Sequence, residues 1–394
     1  MKTATAVFQA ASKGDGVKFL HISDLHIGKR VNEFSMIDDQ QYILSQILSA
    51  ADAHMPDAVL IAGDVYDKSV PPAEAVTLLD DFLCALSLRG IKVFVISGNH
   101  DSPERIAFGA RIMSGGGVYM SQVYGGSVQP VTLTDRHGDV DIFMLPFIKP
   151  VHVRRFYPDA QVEDYNQAVA CAVENMELRP DNRSVLITHQ FVTGGERTES
   201  EEISVGGSDN VDAGIFRAFD YVALGHLHKP QHITRPEVRY CGSPLKYSFS
   251  EAGHTKSVTV VTLGKKGEVQ IEQSALKPRR DLRDIKGGYE QLVSRSFYGG
   301  LNLDDYYRVT LTDEQDVPGA LPKLRAVYPN IMQLAYDNSR TRAGADFWQQ
   351  PRPETKSPAE LFGEFFRRQN GRDMDGGQSA ALSKLIQGIW EDVE

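Results

Sequence analysis

The sequence predicts an α/β fold in which helices flank β-sheets, with a smaller α+β unit and a helical C-terminal segment after it. Between residues 17 and 275, short apolar runs rich in β-branched residues alternate with stretches of helical periodicity. Many of these runs are apolar at nearly every position, which indicates strands that are buried on both faces. The chain of 394 residues is long enough for two or three structural units.

The composition is that of a folded globular protein. It is 41% hydrophobic and 24% charged, which excludes a disordered chain and a fibrous repeat. No apolar run approaches the ~20 residues of a membrane-spanning helix, so no membrane association is predicted. Three scattered cysteines without a Cys-x-x-Cys pair are typical of reduced thiols in a cytoplasmic protein. Residues 1–16 lack the apolar core of a secretory signal and are predicted to be a disordered extension.

Strands and helices alternate in the first half of the predicted α/β unit, at 17–275. Strands are predicted at 17–22, 58–62 and 92–96, and the helical periodicity between them predicts helices at 38–54 and 72–88. Gly90 follows the second helix, as expected at a helix end. Further apolar runs predict strands at 140–145, 184–188 and 220–224. The sequence therefore predicts a sheet covered by helices.

The pattern changes after residue 275. Residues 306–311 and 331–336 read as strands and 318–328 as a helix, which predicts a small α+β capping domain at 276–345. Residues 346–357 are polar and contain prolines, which is typical of a linker.

The last segment, 358–394, is predicted to form two helices. Ser357 and Glu360 have the spacing of a capping box, with Pro358 at the first helical position. Each helix carries an apolar stripe that either packs on its own domain or docks a partner protein. The terminal position after a polar linker favours docking. The residues predicted to dock are Leu361, Phe365, Phe366, Leu385, Ile389 and Trp390.

Potential metal ligands follow five of the predicted strands. Because the carboxyl ends of strands in an open α/β sheet line one crevice, we expect side chains that are distant in sequence to converge there. Small residues such as Gly63, Gly98 and Gly225 stand beside them, as tight turns near metals require. The predicted ligands are Asp24, His26, Asp64, Asn99, His189, His226 and His228.

The chemistry of these ligands indicates a pair of divalent cations. Imidazoles mixed with carboxylate and amide oxygens, without a thiolate, suit Mn²⁺, with Fe²⁺ or Zn²⁺ as alternatives. Seven ligands exceed what one such ion takes, whereas two ions that share a carboxylate use them all. Two ions about 3.5–4 Å apart polarise a phosphoryl group and activate a water molecule. The site is therefore predicted to hydrolyse phosphate esters.

His100 and Asp101 follow the predicted ligand Asn99 and are assigned other roles. A histidine beside the metals but not on them suits stabilisation of the transition state and protonation of the leaving oxygen. His100 is thus the predicted catalytic residue. Asp101 is predicted either to orient the ring of His100 or to cap the loop.

Taken together, these motifs resemble the calcineurin-like metallophosphoesterase superfamily and, within it, the family of D subunits of the bacterial SbcCD nuclease. The similarity covers nearly all of residues 17–275. The matching segments are VKFLHISDLHIGK, GDVYDKSVPPAEAV, GNHDSPER, VGGSDNVD, YVALGHLHKPQ and CGSPLKYSF. The resemblance implies a layered metallophosphoesterase sandwich.

The resemblance also implies roles for the site residues. The first Mn²⁺ would be held by Asp24, His26, Asp64 and His228. The second would be held by Asp64 as the bridging ligand, Asn99, His189 and His226. Mg²⁺ or another divalent ion is the alternative to Mn²⁺.

The activity that the resemblance implies is Mn²⁺-dependent cleavage of DNA. It comprises exonuclease action on duplex ends and endonuclease action on single strands and hairpins, in DNA end processing, replication, repair and recombination. The implied partner is an SMC-like coiled-coil ATPase, the C subunit, with a homodimer of this chain inside a heterotetramer. The net charge of −10 argues against a protein that holds DNA by its own charge alone, and metals and the ATPase would supply that attraction.

Three alternatives are weighed against this interpretation. Phosphoprotein phosphatases on the same scaffold resemble Gly-Asp-x-x-Asp-Arg-Gly and Gly-Asn-His-Glu, whereas this chain has Lys68-Ser69 and Asp101 at those places. A cyclic nucleotide phosphodiesterase would have no use for the C-terminal units. A catalytically silent scaffold for the ATPase would not need a complete set of ligands.

Overall fold

The computed structural model describes residues 7–9, 16–201, 209–339, 341, 357–370 and 372–392. Two β-sheets pack face to face and helices cover their outer faces. The strands are β1 (Val7–Gln9), β2 (Val17–Ile22), β3 (Arg30–Val31), β4 (Phe34–Ser35), β5 (Ala58–Ala62), β6 (Lys92–Ile96), β7 (Val118–Met120), β8 (Val131–Asp135), β9 (Gly138–Leu145), β10 (Arg183–His189), β11 (Tyr221–Gly225), β12 (Gln231–Ile233), β13 (Arg235–Tyr240), β14 (Ser257–Leu263), β15 (Val269–Ala275), β16 (Leu282–Gly287), β17 (Tyr306–Leu311) and β18 (Ile331–Tyr336). The helices are α1 (Ile37–His54), α2 (Ala73–Leu88), α3 (Pro103–Ile106), α4 (Ala110–Met113), α5 (Pro150–Arg154), α6 (Tyr165–Glu174), α7 (Tyr289–Leu292), α8 (Arg295–Tyr298), α9 (Ala320–Arg325), α10 (Pro358–Asn370) and α11 (Gly376–Asp392).

The first sheet has six strands in the order β15-β14-β2-β5-β6-β7. Its central strands β2, β5 and β6 are parallel, with Ala62 of β5 paired with Ile96 of β6. Helices α1 and α2 connect these strands, as parallel neighbours require a crossover. The carboxyl ends of the three strands therefore lie side by side at one edge.

The second sheet has seven strands in the order β1-β8-β9-β10-β11-β13-β12. Strands β10 and β11 are parallel, and His189 at the end of β10 pairs with Gly225 at the end of β11. Residues 1–16 were predicted to lie outside the fold, yet Val7–Gln9 form an edge strand parallel to β8. The three residues Val-Phe-Gln fit a β-strand by propensity, although nothing else in the first 16 residues indicated one.

The space between the sheets is a continuous apolar layer. Phe19, Leu60 and Phe94 of the first sheet pack against Ile142 and Tyr221 of the second. Helices α1 and α2 cover the outer face of the first sheet, and α6 covers that of the second. The predicted α/β layering is confirmed. The strands are buried on both faces because helices cover the outer face of each sheet and the two sheets cover each other's inner faces.

A separate three-stranded parallel sheet, β16-β17-β18, lies within the predicted α+β unit at 276–345. It has its own core, in which Tyr307 and Leu311 pack with Leu324 of α9. Asp39 of α1 connects this unit to the sandwich, because its carboxylate accepts hydrogen bonds from the hydroxyl of Tyr306 at 2.7 Å and from Arg280 at 3.0 Å.

Helices α10 and α11 form the described C-terminal segment. Ser357 and Glu360 make the reciprocal capping-box hydrogen bonds predicted for the start of α10. Of the predicted docking residues, Leu361, Phe365 and Leu385 are exposed and Phe366 is partly buried. The side chains of Ile389 and Trp390 lie outside the described part of the structure, as does the predicted linker up to residue 356. Within the described residues, no helix combines the length and apolar character that crossing a bilayer requires.

Candidate metal centre

The seven predicted ligands stand at the carboxyl ends of five strands. Those of the first sheet lie in the loops that follow β2, β5 and β6, and those of the second sheet end β10 or follow β11. Because both sets of strands end at the same edge of the sandwich, the loops of the two sheets meet there. The structure thus brings together side chains that are up to 204 positions apart, from Asp24 to His228.

One group of ligands consists of Asp24, His26 and His228. An atom from each of these buried side chains lies within 4.8 Å of the others. The Nε2 atoms of His26 and His228 face each other at 3.1 Å. Two imidazole nitrogens and a carboxylate at this separation are suited to a single shared cation.

A second group forms around Asn99. Its Oδ1 atom lies 3.0 Å from Nε2 of His189 and 3.0 Å from Nδ1 of His226. Asp64 joins this group, because its Oδ2 atom lies 3.3 Å from Nε2 of His189. Asp24 lies close to this second group as well, because it offers an atom within 4.8 Å of atoms of Asp64 and His189.

Asp64 lies between the two groups. The same Oδ2 atom that approaches His189 is 3.7 Å from Nε2 of His26 in the first group. Its other oxygen, Oδ1, accepts a hydrogen bond from the backbone N–H of His100 at 3.0 Å, which fixes the carboxylate. Asp64 therefore has the position that a ligand shared by two cations requires.

Three glycines allow this close approach. A Cβ atom on Gly98 would lie 2.1 Å from Oδ1 of Asp64, and one on Gly63 would lie 2.5 Å from Nδ1 of His189. A Cβ atom on Gly225 would lie 1.8 Å from the carbonyl oxygen of Ala62. The sequence had indicated tight turns at these places, and the structure adds that a side chain of any size would displace the ligands.

The loops that carry the predicted ligands contain residues in a backbone conformation that residues other than glycine rarely adopt. Asp24, His26 and Asp64 have φ angles of 53°, 43° and 46°, and His226 has a φ of 111°. Such conformations cost about 1–3 kcal/mol each and cluster at functional sites, where the surrounding structure enforces them.

Two of the imidazoles are oriented by hydrogen bonds on their outer nitrogens. Nδ1 of His189 donates to the carbonyl oxygen of Ala62 at 2.8 Å, which directs Nε2 towards the other ligands. Nδ1 of His228 lies 2.7 Å from the Ser200 hydroxyl, which in turn donates to the Glu251 carboxylate at 2.7 Å. Metal-bound histidines usually have such partners, which fix the tautomer.

Sequence reasoning missed the residues behind His228. Glu251 and Lys256 are fully or almost fully buried, and their charges pair at 2.5 Å. Lys256 also donates to the carbonyl oxygen of His228 at 2.8 Å. Hydrogen bonds therefore fix both the backbone and the ring of His228. Lys256 precedes β14, and Glu251 lies in a short turn after the CGSPLKYSF segment. Neither position carries a pattern that marks it as part of the site.

His100 and Asp101 are neighbours in the sequence, but their side chains make different hydrogen bonds. Nδ1 of His100 donates to the carbonyl oxygen of Asp67 at 3.0 Å, so this carbonyl orients the ring. The carboxylate of Asp101 instead accepts backbone N–H groups from Val65, Tyr66 and Gly98 at 2.9–3.0 Å. Asp101 thus caps the loop through three backbone donors, and its orientation of the His100 ring stays a prediction.

Burial and mutual charge shift the protonation of the ligands. Burial raises the pKa of Asp24 to about 6, although the nearby His189 and His228 oppose the shift. Burial would also raise the pKa of Asp64, but the charge and hydrogen bond of His189 hold it well below its usual value. Burial tends to lower the pKa of His189, and Asp64 outweighs this and raises it to about 9. A bound cation would therefore have to replace the proton of His189.

This set of donors fits divalent cations. Two carboxylates, an amide oxygen and four imidazoles converge, and the two carboxylates together carry the negative charge that a buried cation needs. His26 and His226 also have pKa values that burial holds well below the usual range, so their rings are neutral and able to coordinate.

Comparison with known proteins adds two family matches. A family model described as calcineurin-like phosphoesterase matches residues 17–230 of this chain. A second model, described as the C-terminal domain of the type 5 capsule protein repressor, matches residues 278–370.

Individual proteins are similar as well. The SbcCD nuclease D subunit of Staphylococcus epidermidis is 32% identical over 382 residues, which cover 95% of this chain and 99% of that protein. A dimetal phosphatase from Danio rerio aligns in structure with a TM-score of 0.40 and 11% identity, covering 67% of this chain and 96% of its own. A Thermus thermophilus structure aligns with a TM-score of 0.36 and 10% identity, covering 66% and 99%.

Proposed function

Because this chain belongs to the calcineurin-like phosphoesterases and, within them, to the family of SbcCD nuclease D subunits, we propose that it hydrolyses phosphodiester bonds in DNA. The observation that supports the proposal is the convergence of the seven proposed ligands around Asp64, beside an open cleft of about 1440 Å³ that Asn99 and His100 line. The proposed activities are exonuclease action on duplex ends and endonuclease action on single strands and hairpins, in DNA end processing, replication, repair and recombination.

The proposed cofactor is a pair of Mn²⁺ ions, with Mg²⁺ or another divalent ion as the alternative. When bound, such a pair polarises the phosphoryl group and lowers the pKa of a water molecule for in-line attack. Asp64 would be the shared ligand, in keeping with the distances of its Oδ2 atom to His26 and His189. The first ion would be held by Asp24, His26, Asp64 and His228, and the second by Asp64, Asn99, His189 and His226.

His100 is the proposed catalytic residue. Its Nδ1–H bond to the Asp67 carbonyl and its backbone bond to Asp64 fix the ring and turn Nε2 towards the metal centre. This nitrogen lies 3.9 Å from Oδ2 of Asp64, at the wall of the cleft. From there it would stabilise the oxygens of the transition state and protonate the leaving oxygen.

The experiment that tests this function uses three substrates in parallel. Purified full-length protein with Mn²⁺ is incubated with a labelled hairpin DNA, a phosphopeptide and a cyclic nucleotide. We expect Mn²⁺-dependent cleavage of the hairpin that EDTA abolishes, with little turnover of the other two. Turnover of the phosphopeptide or the cyclic nucleotide instead would assign the chain to another phosphoesterase activity, and no turnover at all would favour a silent scaffold.

The proposed partner is an SMC-like coiled-coil ATPase, acting with a homodimer of this chain in a cytoplasmic heterotetramer. The apolar side chains of Phe365 and Leu385, which are 56% and 63% exposed, support docking at the C-terminal helices. Removing residues 358–394 should leave the Mn²⁺-dependent nuclease intact and abolish co-purification with the ATPase. Undiminished association would contradict the docking assignment.

A further inference from the structure

We propose that the cleft beside the metal centre contains a subsite that stacks an unpaired nucleobase, with Phe156 as its principal contact. The inference rests on the proposed function, because it names the kind of DNA strand that the same site takes. The lining of the cleft includes four apolar side chains, which we call the apolar wall: Val123, Phe147, Val151 and Phe156. The proposed occupant is the base next to the scissile phosphate in a single strand of DNA.

Phe147 connects this wall to the metal ligands. Its ring contacts that of His189 edge to face, with the ring centres 6.3 Å apart. Its backbone N–H donates to the carbonyl oxygen of Ser97 at 2.9 Å, in the loop that carries Asn99 and His100. Because Phe147 is only partly buried, the wall begins at the ligands and continues outwards into the cleft.

Phe156 forms the outer part of the wall and is 41% exposed. Its ring packs edge to face against buried Tyr124, with the centres 5.9 Å apart. A Cβ atom on Gly126 would come within 3.0 Å of this side chain, so the backbone of Gly126 supports it from behind. The ring is therefore held in place while part of its surface stays open, which lowers the entropic cost of stacking a base on it.

The basic side chains around the wall are complementary to a phosphate backbone. Lys68, Lys149 and Arg155 line the same cleft, and none of them forms an ion pair with another residue that the structure describes. The guanidinium carbon of Arg155 lies 5.8 Å from the ring centre of Phe156, so positive charge and aromatic surface are adjacent. The chain as a whole has a net charge of −10, whereas these three side chains in the cleft are cationic.

The acidic side chains of the cleft are each engaged by a partner. Asp67 pairs with Lys29 at 2.7 Å, and the Asp101 carboxylate accepts backbone N–H groups. Glu104 accepts a hydrogen bond from the Ser102 hydroxyl at 2.9 Å, at the start of α3. The side chains that remain available to a phosphate are therefore mainly basic.

An aromatic surface next to available basic side chains is the combination that binds single-stranded nucleic acid. The bases of an intact duplex stack on each other and would leave Phe156 without a contact. An unpaired base has a free face, and the strand behind it brings phosphates to the basic side chains. The wall therefore favours hairpin loops, frayed ends and single strands.

The test compares two DNA strands that differ in one base. Both are short single strands with the same backbone, and one of them lacks the base on the nucleotide next to the cleaved bond. We expect the wild type to cleave the complete strand with a kcat/KM about tenfold or more above that of the abasic strand. Phe156→Ala should reduce this ratio to nearly one, and Phe156→Trp should retain it, since indole also stacks.

Leu88→Ala is the matched control, because Leu88 is 89% exposed at the end of α2 and outside the cleft. In this variant, the ratio of kcat/KM for the complete strand to kcat/KM for the abasic strand should equal that of the wild type. The Mn²⁺ content of every variant, measured by mass spectrometry, should equal that of the wild type, which separates stacking from damage to the metal centre.

Several results would overturn the inference. They are an unchanged ratio in Phe156→Ala, a ratio fully retained by Phe156→Leu, or a loss of Mn²⁺ in Phe156→Ala. If the wild type cleaves neither strand, the proposed function itself fails. If it cleaves both strands equally, the nuclease stands and the subsite does not.

Discussion

Gly98 packs so closely on Asp64 that a Cβ atom at position 98 would lie 2.1 Å from the Asp64 carboxylate and 2.4 Å from its backbone nitrogen. The backbone contact means that the strain cannot be relieved by a side-chain rotation alone. The loops after β5 and β6 therefore fit together only because residue 98 has no side chain.

Gly98→Ala should accordingly displace Asp64 and weaken Mn²⁺ binding by at least about tenfold, with activity falling in parallel. Gly115→Ala is the matched control, since nothing lies within 4 Å of a Cβ atom there and its φ angle is not positive. Titration calorimetry measures the affinity and circular dichroism checks the fold. Equal Mn²⁺ affinities in the two variants would contradict the close packing.

Asp64→Ala should remove both cations at once, because the same carboxylate oxygen faces both groups of ligands. We expect the metal content to fall from two ions to none and the cleavage rate to fall at least about a hundredfold. Asp52→Ala changes an exposed aspartate that pairs with Arg89 and should keep two ions. Retention of one ion in Asp64→Ala would show that this residue serves a single cation.

His100→Leu should lower the rate of DNA cleavage by about 10²–10⁴-fold without loss of metal. The reason is that His100 lines the cleft and its Nε2 atom lies 3.9 Å from Oδ2 of Asp64, while its Nδ1 atom donates to the Asp67 carbonyl. His232→Leu replaces an exposed histidine of β12 and should keep full activity. Metal content is measured on the same samples, and cleavage near the wild-type rate would remove His100 from the mechanism.

Ser200→Ala should weaken Mn²⁺ binding by about 10–100-fold, as expected when a partner of a metal-bound histidine is removed. Its hydroxyl bridges Nδ1 of His228 and the Glu251 carboxylate, so its loss frees the imidazole to turn. Ser200→Thr, which keeps the hydroxyl, should restore most of the affinity. Ser49→Ala on the exposed side of α1 is the control. A fall in activity with unchanged affinity would contradict a positioning role.

Low pH should destabilise the second sheet, because protonation of Asp141 removes the charge of its carboxylate. Burial tends to raise the pKa of this carboxyl, but hydrogen bonds from Arg179, Thr132 and Asn182 outweigh it and lower the pKa. The resulting stabilisation is complete above the ordinary carboxyl pKa of about 4 and is lost as the pH falls through the lower folded value. Asp141→Asn should therefore cost about 1–3 kcal/mol of stability at pH 7 and less at pH 3.

Urea unfolding at both pH values measures this difference. Asp52→Asn, at an exposed ion pair, should leave the free energy of unfolding nearly unchanged at either pH. A destabilisation of Asp141→Asn that does not depend on pH would show that the carboxylate charge is not what stabilises the sheet.

The sequence predicted those parts of the fold and site that follow from local pattern. Val17–Ile22 and Ala58–Ala62 are largely apolar, and the polar residues after them mark the ends of the strands. Strands β13 and β15 escaped prediction because exposed polar residues interrupt their apolar positions, and pairing with neighbours decides their conformation. Glu251 escaped for a different reason, since its role depends on distant contacts that no local spacing encodes.

The face-to-face packing of the two sheets has a consequence for the chemistry itself. Asp24, Asp64 and Asn99 belong to the first sheet and His189 and His226 to the second, so neither sheet carries the complete set of proposed ligands. The aromatic and aliphatic filling between the sheets, including Phe94 and Tyr221, sets their spacing. Replacing these side chains by smaller ones would let the two sheets shift relative to each other. The geometry of the proposed site would then change although every proposed ligand is still present.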